Sequence, residues 1–458
     1  MKKLAPKLPF GSSLSRTACP TASRRRSKRT ALAWLALALS TPAFAQSLAI
    51  TNATLAIGDG SEPIRGGTVV VSGGKVVAAG AGVAVPAGTK TIDAGGKWVT
   101  PGLVSGFSRV GLAEVPAVRQ TNDTSARSPF SAAIDVAPAI NPLANPIAIS
   151  RTAGVTRAVV APATGTGIFA GQGAVIDLGA DMNAITKPRA FQYVELGEQG
   201  SEEAGGSRAA MILTFRMMLS QAQDYAKAPA SYDGNSKDAL LNRIDAAALV
   251  PVVTGAQPLM VHAESARDIL TALSLRQEFP ALKLILAGAT EGWMVAREIA
   301  AARVPVITAG LEDLPSSFEK LAATQSNVGR MVKAGVSVSM GMLTGDDALQ
   351  LRVATQQAGN MVALTKVPGA TGLSWGQALR TITAAPAEAM GLGDRFGSLK
   401  AGRAGDVVLW DGDPLEMTSA PLAVWIDGVE QPLANRQSRL RDRYANPAEG
   451  ALPKAYEW

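Results

Sequence analysis

The stretch Val99-Thr-Pro-Gly-Leu-Val-Ser-Gly-Phe-Ser-Arg-Val-Gly-Leu112 constrains the rest of the chain more than any other. A Pro-Gly pair leads into a run of strand-forming residues. Side chains at i and i+2 of a strand share a face, so whatever surrounds Phe107 also surrounds Arg109.

The residues on either side of this strand fall into three blocks. From Ser47 to about Trp98, short β runs alternate with glycine turns at Gly73-Gly74 and Gly95-Gly96, as in a small antiparallel sheet. A counterpart lies near the other end, where Asp406-Val-Val-Leu-Trp410 and Leu422-Ala-Val-Trp-Ile426 read as strands and Asp427-Gly428 as a turn. Between them, strand candidates at Thr156–Ala161, Phe191–Glu195, Pro258–His262, Leu282–Ala287, Pro305–Thr308 and Val336–Met340 alternate with helical segments such as Ser207–Ala228 and Gly292–Ala302. That alternation is what a parallel barrel requires. Glu114–Ala148, rich in Pro, Asn, Ser and Asp, reads as a long loop over the barrel mouth. The glycines of Gly165-Thr-Gly167 and Gly171-Gln-Gly173 lack the Lys-Ser/Thr ending of a phosphate loop and read as turn glycines.

The N-terminus has the order of an export signal. Basic residues Arg24, Arg25, Arg26, Lys28 and Arg29 precede the apolar run Ala31–Leu39, and Ala43-Phe-Ala45 offers a small-residue cleavage site. The apolar run is too short to span a bilayer, which takes about 20 residues, so no stable membrane anchor is expected. Residues 1–45 hold nine Lys or Arg and no acid, so their removal turns the formal +7 into −2. The basic balance therefore belongs to the signal, and nucleic acid is excluded as a partner on charge. The single cysteine, Cys19, also precedes the cut, which excludes disulfides and thiolate chemistry afterwards.

These features resemble the amidohydrolase superfamily. In that family Pro-Gly-(Leu/Phe)-(Ile/Val)-Asp leads into His-x-His on the first barrel strand. Here Ser105 stands at the Asp position, Phe107 at the first His and Arg109 at the second. The family's closing signature follows in order and spacing: Leu373–Arg380, Thr383-Ala-Ala-Pro-Ala387, Gly391–Ser398, Gly402–Leu409 and Asp411-Gly-Asp-Pro414. Ser374 can cap the helix through Arg380. The resemblance implies an α/β fold, a TIM (β/α)8 barrel over residues 99–390 with a small β-sandwich assembled from both chain ends, 46–98 and 391–436. Residues 437–458 remain as a solvated tail.

The resemblance also implies metal chemistry. The family uses one or two divalent ions, commonly zinc, to activate water and polarise a scissile carbonyl. Its ligands are the strand-one His pair, a Lys or Glu on strand four, a His on each of strands five and six, and an Asp on strand eight. This chain has one histidine, so no poly-His zinc site can be built. His262 matches the strand-five ligand, and Glu195, with Glu198 behind it, is the strand-four candidate. Phe107, Arg109, Ala287 and Leu343 are degenerate metal positions. Asp346 and Asp347, just beyond Leu343, read as a helix start. Arg109 is expected to face the barrel mouth and supply fixed positive charge in place of the metal, holding Glu195, Glu264 or a substrate carboxylate. His262 is either a hydrogen-bonded structural or substrate-contacting residue, or a surviving ligand or general acid/base. No Gly-x-Ser-x-Gly elbow offers a serine route.

Two functions follow from the resemblance and its departures. One is an exported hydrolase, periplasmic or secreted, for non-peptide or dipeptide-like carbon–nitrogen bonds. The other is a non-catalytic descendant that binds a small ligand or partners an active homologous amidohydrolase subunit. No cofactor and no catalytic metal is expected in either case. The export reading is tested by mass: protein recovered from an exporting host should begin at Gln46, and a full-length cytoplasmic product overturns it.

Overall fold

The computed structural model describes residues 47–125, 127–343 and 348–445. Residues 1–46, which include the stretch expected to be an export signal, the Asp346-Asp347 pair and the end of the C-terminal tail lie outside the described residues.

The first β-rich block forms β1 (Leu48–Leu55), β2 (Ile64–Ser72), β3 (Lys75–Gly80), β4 (Lys90–Asp93) and β5 (Trp98–Pro101). Gly73 and Gly74, at φ 57° and 77°, make the two-residue β2–β3 turn, where both central residues need positive φ. β1 forks the sheet. Its first half pairs with β4 and its last two residues with β5, while β2 runs along its other side. The fork is made at Asn52, whose left-handed φ of 53° an asparagine tolerates and whose side chain donates to Asp93.

The barrel strands are β6 (Leu103–Ser108), β7 (Val155–Val160), β8 (Phe169–Asp177), β9 (Ile185–Glu195), β10 (Leu259–Ala263), β11 (Leu284–Gly288), β12 (Val306–Thr308) and β13 (Val338–Met340). The sheet of both chain ends is then completed by β14 (Val407–Trp410), β15 (Pro421–Ile426) and β16 (Val429–Glu430), in the order β16-β15-β14-β5-β1-β2-β3. Its core holds Ile50, Leu55, Val69, Val71, Val99 and Trp425.

The barrel follows the TIM plan with one strand reversed. β9 to β13 pair in parallel, as do β6 and β7, but β8 runs antiparallel to both neighbours. Gly171 and Gly173, expected to be turn glycines, lie inside β8. A Cβ on Gly173 would sit 2.1 Å from the Phe191 ring, so the glycine makes room for that ring on the neighbouring strand. Gly165 and Gly167 do sit in the β7–β8 connection. Between β13 and β6 the seam is drawn together by the Met342 amide donating to the Phe107 carbonyl at 3.0 Å. Gly106 and Gly341 permit it: a Cβ on either would come within 2.8 Å of Met340 O or of Phe107 Cβ, respectively.

Around the strands run α1 (Asn145–Thr152), α2 (Gly197–Glu203), α3 (Arg208–Lys227), α4 (Arg243–Val253), α5 (Ala266–Glu278), α6 (Ala296–Ala302), α7 (Asn327–Lys333), α8 (Ala354–Ala363), α9 (Trp375–Thr381), α10 (Ala384–Ala389) and α11 (Arg436–Tyr444). Ser374 caps α9 in a reciprocal capping box with Gln377. The Glu114–Ala148 loop is irregular apart from two single 3-10 turns, and α1 takes over at Asn145.

Arg157 of β7 joins barrel to sheet. Its guanidinium is buried and donates to both Asp406 oxygens at 2.8 and 3.0 Å, with Asp427 2.8 Å away. The Asp427 amide in turn donates to Asp406. Breaking such a buried pair from one side leaves a charge uncompensated and costs about 3–5 kcal/mol, whereas an apolar pair of similar volume restores much of it. Denaturant unfolding should therefore show Arg157→Met destabilised by about 3–5 kcal/mol, with Arg157→Met/Asp406→Leu recovering most of the loss. A single-variant loss below about 1 kcal/mol, the size of an exposed pair, overturns this.

Candidate functional site

Parallel register brings the expected site residues to one height. Glu195 lies opposite His262, His262 opposite Ala287, Ala287 opposite Ile307, and Ile307 opposite Ser339. These five approach the C-terminal ends of the strands, the end at which such barrels carry chemistry. Below them the interior is apolar, filled by Phe191, Met260 and Ile285. Ala287 therefore presents a methyl group where the resemblance called for a ligand, and Phe107 packs its ring 5.6 Å from that of Tyr193. Ser105, at the expected Asp position, is buried and donates to the Phe107 carbonyl.

From this ring a line of polar groups runs outward. The Tyr193 hydroxyl donates to Glu195 at 2.8 Å. The other Glu195 oxygen lies 2.5 Å from His262 Nδ1, and His262 Nε2 lies 3.1 Å from Glu264 Oε1. That same Glu264 oxygen is 3.2 Å from Lys320 Nζ, which is also 3.2 Å from each oxygen of Glu312. The second Glu264 oxygen accepts from the amide and hydroxyl of Thr290 at 3.0 and 2.7 Å. Glu195 and Glu264 are buried, and the His262 side chain keeps 17% of its surface exposed.

Protonation follows from this arrangement. Burial pushes the Glu264 carboxyl up, but His262, Lys320 and Thr290 outweigh it and bring it down to about 2. Burial raises Glu195 too, and His262, Tyr193 and Arg109 together hold it below the usual carboxylate range. For His262 burial favours the neutral ring, yet the two carboxylates overcome that and lift it well above its ordinary value. An ionised carboxylate only accepts, so a ring facing one on each side carries a proton on both nitrogens. The two carboxylates thus favour the imidazolium form of His262. Tyr193 is pushed well above its usual value by burial and by Glu195, and stays a donor.

Arg109 follows the end of β6, with its guanidinium carbon 5.9 Å from the centre of the Phe107 ring. Its Nε is buried without a hydrogen-bond partner among the described residues. Of the acids expected to pair with it, Glu264 is held by Lys320 instead, and Glu195 feels its charge without a salt bridge. Glu198 opens α2, where its amide donates to Glu319. Leu343 lines a cavity of about 370 Å³ with Leu311, Glu312, Leu314, Met342 and Gln357, so the polar line ends at open space.

Three contributors escaped the sequence reading. Tyr193 was within reach, two residues before Glu195 on the same face of a strand. Lys320 and Glu312 sit in the long β12–α7 connection, where no periodicity marks a residue as inward-facing.

The amidohydrolase family model matches residues 280–434. A curated relative, Amidohydrolase tasK of Hapsidospora irregularis, is 50% identical over 60 residues, which is 13% of this chain and only 6% of that protein's length. Among solved structures, an amidohydrolase from Thermotoga maritima MSB8 superposes with a TM-score of 0.74 at 26% identity, over 85% of this chain and all of the other. Molinate hydrolase (TM-score 0.51, 18% identity, 90% of this chain and 98% of the other) shares the fold. So does a prolidase complexed with N-methylphosphonate-L-proline (TM-score 0.51, 16% identity, 86% and 100%). With the closing signature inside the matched region and the two-ended sheet around the barrel, this chain belongs to the amidohydrolase superfamily.

Proposed function

We propose that this protein is a metal-independent member of the superfamily whose barrel mouth binds a small anionic ligand and does not perform metal-assisted hydrolysis of carbon–nitrogen bonds. The observation that carries the reading is the double clamp on His262. A ring protonated on both nitrogens has no lone pair for a metal and cannot act as a general base near neutrality. A water-activating zinc site needs three protein donors and an open position. Here Phe107 and Ala287 offer no donor atom, Arg109 and Lys320 add positive charge, and Glu195 and Glu264 already serve His262. The residues do not fit a divalent ion.

Arg109 supplies the reason to expect an anion. Its buried Nε–H has no partner among the described residues, and a ligand carboxylate would satisfy it with a charge-assisted bond. Export, proposed from the N-terminal sequence, would bring such a site into contact with solutes outside the cytoplasm. The proline compound bound to the prolidase makes N-acetyl-L-proline a suitable first probe.

With one histidine in the chain, nuclear magnetic resonance reports His262 without assignment. Its ring nitrogens should both remain protonated at pH 8. The accompanying stability is complete below the unfolded value of about 6.5 and declines as pH rises through the raised folded value. A ring that titrates near 6.5 overturns the clamp.

Calorimetry with N-acetyl-L-proline tests the anion. Arg109→Gln removes a charged hydrogen bond worth about 1.5–3 kcal/mol, so affinity should fall roughly ten- to a hundredfold. Equal affinity in the variant counts against the reading, as does a wild-type protein indifferent to the probe. A tightly held equivalent of zinc, manganese or iron whose chelation abolishes hydrolysis overturns the reading as a whole.

A further inference from the structure

We infer that the junction between barrel and sheet is a clasp that tightens in acid: Arg157 faces three carboxylates, Asp406, Asp427 and Asp177, and the surplus negative charge loosens the junction until Asp177 takes up a proton. The inference stands apart from the reading of the barrel mouth and does not depend on it.

The three acids are not served equally. Arg157 Nε and Nη2 reach the two Asp406 oxygens at 2.8 and 3.0 Å, and Nη2 lies 2.8 Å from Asp427. Nη1 donates to the Thr186 hydroxyl of β9 at 3.2 Å. Asp177, at the end of β8, stands 3.8 Å from the same Nη1, too far for a hydrogen bond. Its side chain is only 15% exposed, against 57% for Asp427, so water relieves Asp177 less. Nor can Asp427 swing away freely. It opens the β15–β16 turn at φ 48°, ahead of Gly428 at 75°, and its amide is bound to Asp406.

The other charged groups nearby do not make up the deficit. Asp181, in the β8–β9 connection, adds a further negative charge. Arg395 offsets charge at Asp427, and Lys187 of β9 feels Arg395 and makes no ion pair among the described residues. Arg151 of α1 directs its guanidinium to the Leu178 and Pro432 carbonyls. Like charges crowded in a buried place favour the neutral acid. Burial, with Asp427 and Asp181, outweighs the Gly179 amide and Arg157 and lifts Asp177 to about 6. A neutral carboxyl keeps an oxygen for the Gly179 amide, bound at 2.9 Å, and gains an O–H to donate to its surroundings. The proton thus removes repulsion from a contact joining β7, β8 and the sheet of the chain ends.

The sign of the effect is opposite to ordinary acid denaturation. An acid held above its unfolded value of 3.8 binds its proton more tightly when folded. The stability tied to it is absent well above pH 6, grows as pH falls through that value, and is complete only below 3.8. His262 acts in a separate window, above about 6.5.

The test measures denaturant unfolding of wild type and Asp177→Asn from pH 7.5 to 4.5, the asparagine standing for the protonated acid. At pH 7.5 the variant should have the more favourable folding equilibrium, by roughly ten- to a hundredfold, and the gap should narrow towards pH 4.5. Groups common to both proteins cancel in this difference. Asp427→Asn, which removes a repelling neighbour, should reduce the pH dependence of the remaining acid. In wild type, hydrogen exchange of peptides spanning 174–181 and 424–430, corrected for intrinsic rates, should be slower relative to the rest of the chain at pH 5 than at pH 7.5. Asp177→Asn should abolish that difference. A variant no more stable than wild type at pH 7.5, or a gap that ignores pH, overturns the inference. So does an asparagine variant that fails to fold at neutral pH, or an exchange difference that survives in it. An undiminished dependence in Asp427→Asn also counts against it.

Discussion

Glu195 and Glu264 hold His262 from both sides, and each carboxylate is itself held: Glu195 by Tyr193, Glu264 by Thr290 and Lys320. In a barrel interior the effective penalty for each unpaired ion is several kcal/mol. The charges there alternate, carboxylate, imidazolium, carboxylate, ammonium, carboxylate, so that none lacks an opposite neighbour. Altering one member unbalances the next. This dependence explains how the barrel keeps a polar mouth: side-chain cations neutralise its buried carboxylates.

The same solution recurs at the other end of the strands. Arg157 is buried on β7 and held by Asp406 with Asp427 beside it, so one guanidinium joins the barrel to the sheet of the chain ends. There the charges serve architecture, with no cavity beside them among those described. The distinction between the two clusters lies in access. His262 retains some exposed surface, and Glu312 borders open space, whereas Arg157 is enclosed.

Much of this was legible in the sequence because it depends on local pattern. The Pro-Gly lead into β6, the β-rich ends and the closing signature announce barrel and sheet, and His262 and Glu195 fall on strands whose period places them together. β8 was missed because its glycines make a strand look like a turn; the reason for Gly173 is the Phe191 ring on the next strand, invisible until the two are paired. Lys320 and Glu312 were missed for a related reason. A charged residue in a long connection ordinarily points to water, and only the folded path of the β12–α7 segment turns these two inward.

The forked sheet has a consequence for how the protein comes into being. β5 pairs with β1 on one side and β14 on the other, and the Trp410 indole donates across that second junction to Thr100. Ribosomes deliver the N-terminal strands long before Val407–Trp410. Throughout that interval β5 has an open edge, its backbone groups available to any extended segment that meets them. A nascent or truncated chain ending before Val407 lacks its edge cover, however complete its barrel. The first sheet begun is thus finished only when the chain is almost fully made, and a chaperone that holds the chain extended would shield that strand during the wait.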